Sequence, residues 1–120
     1  MKSKLAEIDP ALNSLEEFSK LSCGTVSTID KMRKNVLFTD AKFEKKYKVL
    51  GALLWSISEK CEPCIKFYVM KAKEFGVSKE ELGEYLSIAS TMGGCVGEMW
   101  ALKAFTAFLS DKGSEACCPV

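Results

Sequence analysis

Apolar residues recur along this chain at the three- and four-residue spacing of helices and nowhere alternate over a useful length as strands do. The clearest stripe is Phe43, Tyr47, Leu50, Leu54 and Ile57, broadened by Val49, Leu53 and Trp55. It predicts a helix starting at Thr39-Asp40, with Asp40 as its cap, and so wide an apolar surface implies burial on more than one side, in the core or against another subunit. Upstream, Asp9-Pro10 predicts a cap and first helical residue for a helix reaching about Lys20. Ser22-Cys23-Gly24 is a break, and a second helix is expected from Val26 to Asn35. Downstream, a helix is expected to open at Cys61-Glu62-Pro63-Cys64 and to end at Gly76, a C′ glycine. Ser78-Lys79-Glu80-Glu81 is a capping box for the next helix, which runs to about Met92 before Gly93-Gly94 breaks it. The last helix, Cys95 to Leu109, carries Val96, Met99, Trp100, Ala104, Phe105, Phe108 and Leu109. The tail from Ser110 to Val120 is polar and expected to be mobile. The pattern predicts an all-α fold: a compact bundle of about six helices in one domain over 1–120, with its core in 40–109.

Composition narrows the function classes. At 120 residues, 48% apolar and 28% charged, the chain suits one globular domain. A net charge of +1 argues against nucleic acid as a partner, because phosphate binding needs a basic excess. Lys42, Lys45, Lys46 and Lys48 form a basic run interrupted by Glu44, which reads as a solvated helix face. The longest apolar run, Val49 to Trp55, is far short of the ~18 residues that span a bilayer, and no apolar segment follows Met1-Lys2-Ser3-Lys4. No membrane is expected, and the cytoplasm is the expected location. The chain holds no histidine, which removes Ser-His and Cys-His catalysis and histidine-ligated metals.

What remains is sulfur chemistry. Cys61 and Cys64 are spaced to close a disulfide, to provide half a metal site, or to sit inert in the core. Pro63 suits a first helical turn, which places Cys64 there too, where orphan N–H groups and the helix dipole favour a thiolate. Lys60 and Lys66 flank the pair and act in the same direction. Cys95 follows Gly93-Gly94 at another helix start and reads as a small core residue or an auxiliary thiol. Cys23 lies in a break and reads as incidental. The adjacent Cys117 and Cys118 are free thiols on the tail that can relay electrons to Cys61–Cys64 by thiol–disulfide exchange. Alternatively they complete a four-thiolate zinc site with Cys61 and Cys64.

From Asp40 to about Phe108 the chain resembles the carboxymuconolactone decarboxylase and alkyl hydroperoxidase D superfamily. The apolar helix KYKVLGALLWSISEK precedes Cys61 and Cys64, and Gly76, Ser78, Glu80, Glu81, Gly93 and Gly94 follow in the family's order and spacing. The resemblance implies an all-helical fold, usually assembled as a homo-oligomer, a trimer or hexamer. In the peroxidase branch the Cys-x-x-Cys cycles through a disulfide, aided by a glutamate and a histidine. By position Cys61 and Cys64 are that dithiol. Where the histidine belongs the chain has Tyr68, and where the glutamate belongs it has Val49. Tyr68 lies one turn after Cys64 and can donate a hydrogen bond to its thiolate. Glu59 and Glu62 flank the dithiol as possible proton shuttles, and Glu98, near the Gly-Gly break, is a weaker one.

The leading expectation is therefore a thiol–disulfide oxidoreductase with peroxidase activity, needing no cofactor. A thiolate, with Cys64 favoured, attacks a small peroxide or disulfide, the partner cysteine resolves the product, and a dithiol protein or small thiol reduces the disulfide. A lyase like the decarboxylase branch would use Lys60, Lys66 and Tyr68 to hold a carboxylate and supply a proton. A third reading is a non-enzymatic oligomer that binds metal or senses oxidants through the pair.

Overall fold

A computed structural model describes residues 7–110. The tail and its Cys117 and Cys118 lie outside the described residues. Pro10–Ser14 form a 3-10 turn, opened by the Asp9 carboxylate accepting the Ala11 N–H at 2.8 Å, and α1 follows over Leu15–Leu21. The single helix expected here is thus split, where Asn13 and Ser14 bring two weak helix formers together. Cys23 and Gly24 both take positive φ, 58° and 83°, and α2 runs over Thr25–Leu37, close to expectation. Neither α1 nor α2 buries a residue fully.

The core belongs to three helices that pack pairwise: α3 over Lys45–Ser58, α4 over Glu62–Glu74 and α5 over Lys79–Leu109. The start of α3 corrects the sequence reading. Glu44 is its N-cap, and Asp40 does not open the helix but reaches across from the preceding loop, accepting the Lys45 N–H at 2.8 Å. An orphan donor of the first turn is satisfied either way, so the aspartate signal located the cap but not the boundary. Phe43 consequently sits in the loop, 69% exposed. The broad apolar stripe also divides. Val49, Leu50, Leu53 and Ile57 are buried, whereas Trp55 stays 68% exposed.

Ile65, Val69 and Ala72 of α4 and Leu82, Leu86, Ala101, Ala104 and Phe108 of α5 complete the core. Burying each large side chain contributes about 1.5–3 kcal/mol. At the end of α4, Gly76 (φ 88°) closes a Schellman turn: its N–H donates to Lys73 O at 3.2 Å, and the Val77 N–H to Ala72 O at 3.0 Å. Ser78 and Glu81 then form the reciprocal capping box, at 3.0 and 2.9 Å. The expected break is a sharp bend within α5: Gly94 takes φ 62°, ψ −144°, a conformation side chains oppose. It divides α5 into limbs 79–93 and 95–109. The limbs meet where buried Gly97 lies so close to the Ala89 carbonyl that a Cβ would strike it. Lys73 Nζ donates to Phe108 O at 2.7 Å, tying α4 to the far end of α5. Among the described residues, no helix is long and apolar enough to cross a membrane.

Candidate functional site

The turn between α3 and α4 holds the dithiol, and its backbone explains its position. Lys60 N–H donates to Ile57 O and Cys61 N–H to Ser56 O, at 3.0 and 3.1 Å, which is a second Schellman turn. Its C′ residue is Lys60, with φ 56°, where the turn ending α4 uses glycine. A side chain there costs roughly 1 kcal/mol. Cys61 is both the residue after this turn and the N-cap of α4, and its carbonyl accepts the Ile65 N–H at 2.9 Å. Both peptide groups of Cys61 are therefore fixed by backbone bonds that do not involve its sulfur. Pro63 stands in the first turn, as the sequence predicts.

Cys64 lies at the third position of α4, and its sulfur is joined to that of Cys61 in a disulfide, with the Cα atoms 5.3 Å apart. That separation lies within the usual range for such bonds. Both residues are half-buried, so the pair reaches solvent while resting on the core. The bridge joins an N-cap side chain to the N3 residue, the pairing that a capping side chain uses to satisfy an orphan N–H.

The other expected site residues are less closely gathered. Tyr68 is half-buried, with its ring edge-on to Phe67 at 5.1 Å and packed against the core. Among the described residues its hydroxyl makes no hydrogen bond, to sulfur or to anything else. Glu62 is exposed and pairs with Lys66 one turn along α4, at 3.7 Å. Glu59 caps the end of α3 and is exposed. Val49, in the family's glutamate position, has no exposure at all and is part of the hydrocarbon core, so no carboxylate reaches the disulfide from there. Cys95 is an exposed free thiol just after the bend in α5, not the core residue its sequence suggested, because the bend turns it outward. Cys23 is also free and exposed, and Glu98 is exposed. Among the described residues no group of three potential ligands is placed to hold a metal. The zinc alternative needs Cys117 and Cys118, which lie outside them.

Two clefts flank the dithiol turn, and the reading of the chain above named neither. One, of about 370 Å3, lies between the end of α3 and the bend of α5 and has Lys60 on its lining. The other, of about 800 Å3, runs along α4 and the second limb of α5 and has Glu62 and Lys66 on its lining. Cys61 stands between Lys60 and Glu62 in the chain and is on the lining of neither cleft. A signal for the first cleft existed in Gly93, Gly94 and Gly97, whose spacing brings two helix limbs together without filling the space between them.

Comparison with known proteins agrees with this architecture. The model of the carboxymuconolactone decarboxylase family matches residues 25–107. An uncharacterised protein of Cupriavidus necator is 26% identical over 108 residues, covering 90% of this chain and 92% of its own. The crystal structure of an apo carboxymuconolactone decarboxylase family protein from Legionella pneumophila superposes with a TM-score of 0.79 at 27% identity, over 88% of this chain and 95% of that one.

Proposed function

Because the chain belongs to the carboxymuconolactone decarboxylase family and links Cys61 to Cys64 across the first turn of α4, we propose that it is a thiol–disulfide oxidoreductase with peroxidase activity. The observation that carries this reading is a half-buried disulfide whose flanking peptides are held by backbone bonds alone. Opening and closing the S–S bond then leaves the turn intact. The positive end of α4 favours the thiolate that must attack.

In the reduced protein the Cys64 thiolate attacks the outer oxygen of ROOH. An S–O bond forms, the O–O bond breaks, and the alkoxide leaves as ROH with a proton from solvent. The Cys61 thiol then attacks the sulfenic sulfur, the S–S bond forms, and the hydroxyl leaves with the thiol proton as water. An external dithiol reopens the disulfide through a mixed disulfide, returning two electrons and two protons. The sum is ROOH plus a dithiol giving ROH, water and the oxidised dithiol. The proton comes from water, with Tyr68, Glu59 and Glu62 as the side chains proposed to relay it. Without a histidine or buried glutamate, turnover should be slower by part of the ~10²–10⁴-fold that acid–base assistance contributes. The reading places the protein in a compartment supplied with dithiol reductant, such as the cytoplasm.

Peroxide consumption coupled to a dithiol is the test. Wild type should turn over. Cys64→Ser should abolish turnover, and Cys61→Ser should stop after one equivalent with a sulfenic acid that dimedone traps. Equal activity in wild type and the double serine variant, or activity indifferent to the reductant, would refute the proposal.

A further inference from the structure

Lys60 stands at the edge of an apolar cleft with its backbone fixed. Two Schellman hydrogen bonds hold it in the left-handed conformation, although the same position at the end of α4 is glycine. The smaller cleft, about 370 Å3, is walled by Leu54 and Ile57 of α3, Ile88 and Met92 of the first limb of α5, and Val96 and Trp100 of the second. Among the described residues Lys60 is the one charged residue on its lining, and its ammonium makes no ion pair or hydrogen bond with any of them. Most other lysines near the core have a partner: Lys46 has Glu81, Lys71 has Glu74, and Lys73 has the Phe108 carbonyl. The cleft carries Lys60 and Ser58 on its lining and is otherwise walled by apolar residues and glycines, and its volume falls in the range of small-molecule sites.

We propose that this cleft binds a single-chain aliphatic carboxylate, its chain between α3 and the bent α5 and its carboxylate on the Lys60 ammonium. The chain gains from leaving water against Ile88, Met92, Val96 and Trp100. The head group gains an ion pair, charged on both sides, where a neutral alcohol of the same length could only accept a hydrogen bond from the ammonium. The apolar wall alone would not choose between the two. Lys60 supplies the discrimination. The inference stands apart from the redox reading, since it concerns a ligand that carries no oxidant.

Decanoate below its micelle concentration and 1-decanol are the probes. Binding is read by fluorescence of Trp100 in Trp55→Phe protein. Lys60→Gly removes the cation while relieving the positive φ, so a thermal melt at or above that of the parent shows that lost binding is not lost folding. Decanoate should bind saturably at one site, Lys60→Gly should weaken it at least tenfold, and Lys60→Arg should restore it. 1-Decanol should bind all three alike. Equal decanoate affinity in Lys60→Gly overturns the proposal. So does an absence of saturable binding, including the case in which sedimentation shows a second copy of the chain covering the cleft.

Discussion

Replacing Gly97 by alanine should destabilise this protein, whereas the same replacement at Gly51 should stabilise it. The two glycines look alike in the sequence, since both interrupt apolar helices. In the structure a Cβ on Gly97 would strike the Ala89 carbonyl oxygen and lie 3.2 Å from its carbon, both atoms of the backbone of the opposing limb. Backbone cannot rotate away as a side chain can, so the limbs must part. Overpacking of this kind costs about 1–3 kcal/mol and occasionally more. A Cβ on Gly51 meets nothing within 4 Å on the exposed face of α3, and alanine there recovers the roughly 0.5–1 kcal/mol that helical glycine forfeits. Gly94→Ala should lose about 1–3 kcal/mol for a different reason, the positive φ of the bend. Since Gly94 and Gly97 serve the same bend, the double variant should lose less than the two together. Urea unfolding measures all four. In this 120-residue chain each kcal/mol moves the melting temperature by about 4 °C, so Gly97→Ala and Gly51→Ala should separate in opposite directions. Finding Gly97→Ala within 0.5 kcal/mol of wild type would mean that the limbs do not approach as described, and the walls of the smaller cleft would have to be drawn again.

Lys73→Met removes the donor to Phe108 O and should cost about 1.5–3 kcal/mol in urea unfolding, and a loss under 0.5 kcal/mol would show that the bond is not formed in solution. The Glu81 carboxyl is held below the ordinary carboxylate value near 4.5, first by the Ser78 N–H and then by Lys46, so its contribution is present above that value and lost as pH falls through the lowered one. Lys46 is raised above 10.5 chiefly by its hydrogen bond to Glu81, so its contribution is present below 10.5 and lost as pH rises through the raised value. Urea midpoints of wild type and Glu81→Gln should therefore differ at pH 7 and converge as the pH falls through the lowered value. A gap unchanged at acid pH would remove the ionised carboxylate from the account.

Much of this molecule was decided by short-range chemistry and could be read along the chain. Ser78 and Glu81 cap one another, Gly76 ends α4, and Pro63 places Cys61 and Cys64 in one helical turn, because each effect is complete within a few residues. The start of α3 was less legible: Asp40 caps it from a loop, and a carboxylate that reaches five residues ahead leaves the same composition as one at the boundary. The tertiary structure alone decided which side of the apolar stripe meets the core, that Tyr68 turns its ring toward Phe67 and, among the described residues, leaves its hydroxyl without a partner, and that Cys95 faces solvent. It also decided that Lys60 stands at the edge of a cleft whose far wall, from Ile88 to Trp100, is distant in the chain. Such features depend on where separate helices cross, and that is set by volume and close approach, as at Gly97 and Ala89, rather than by any local pattern of residues.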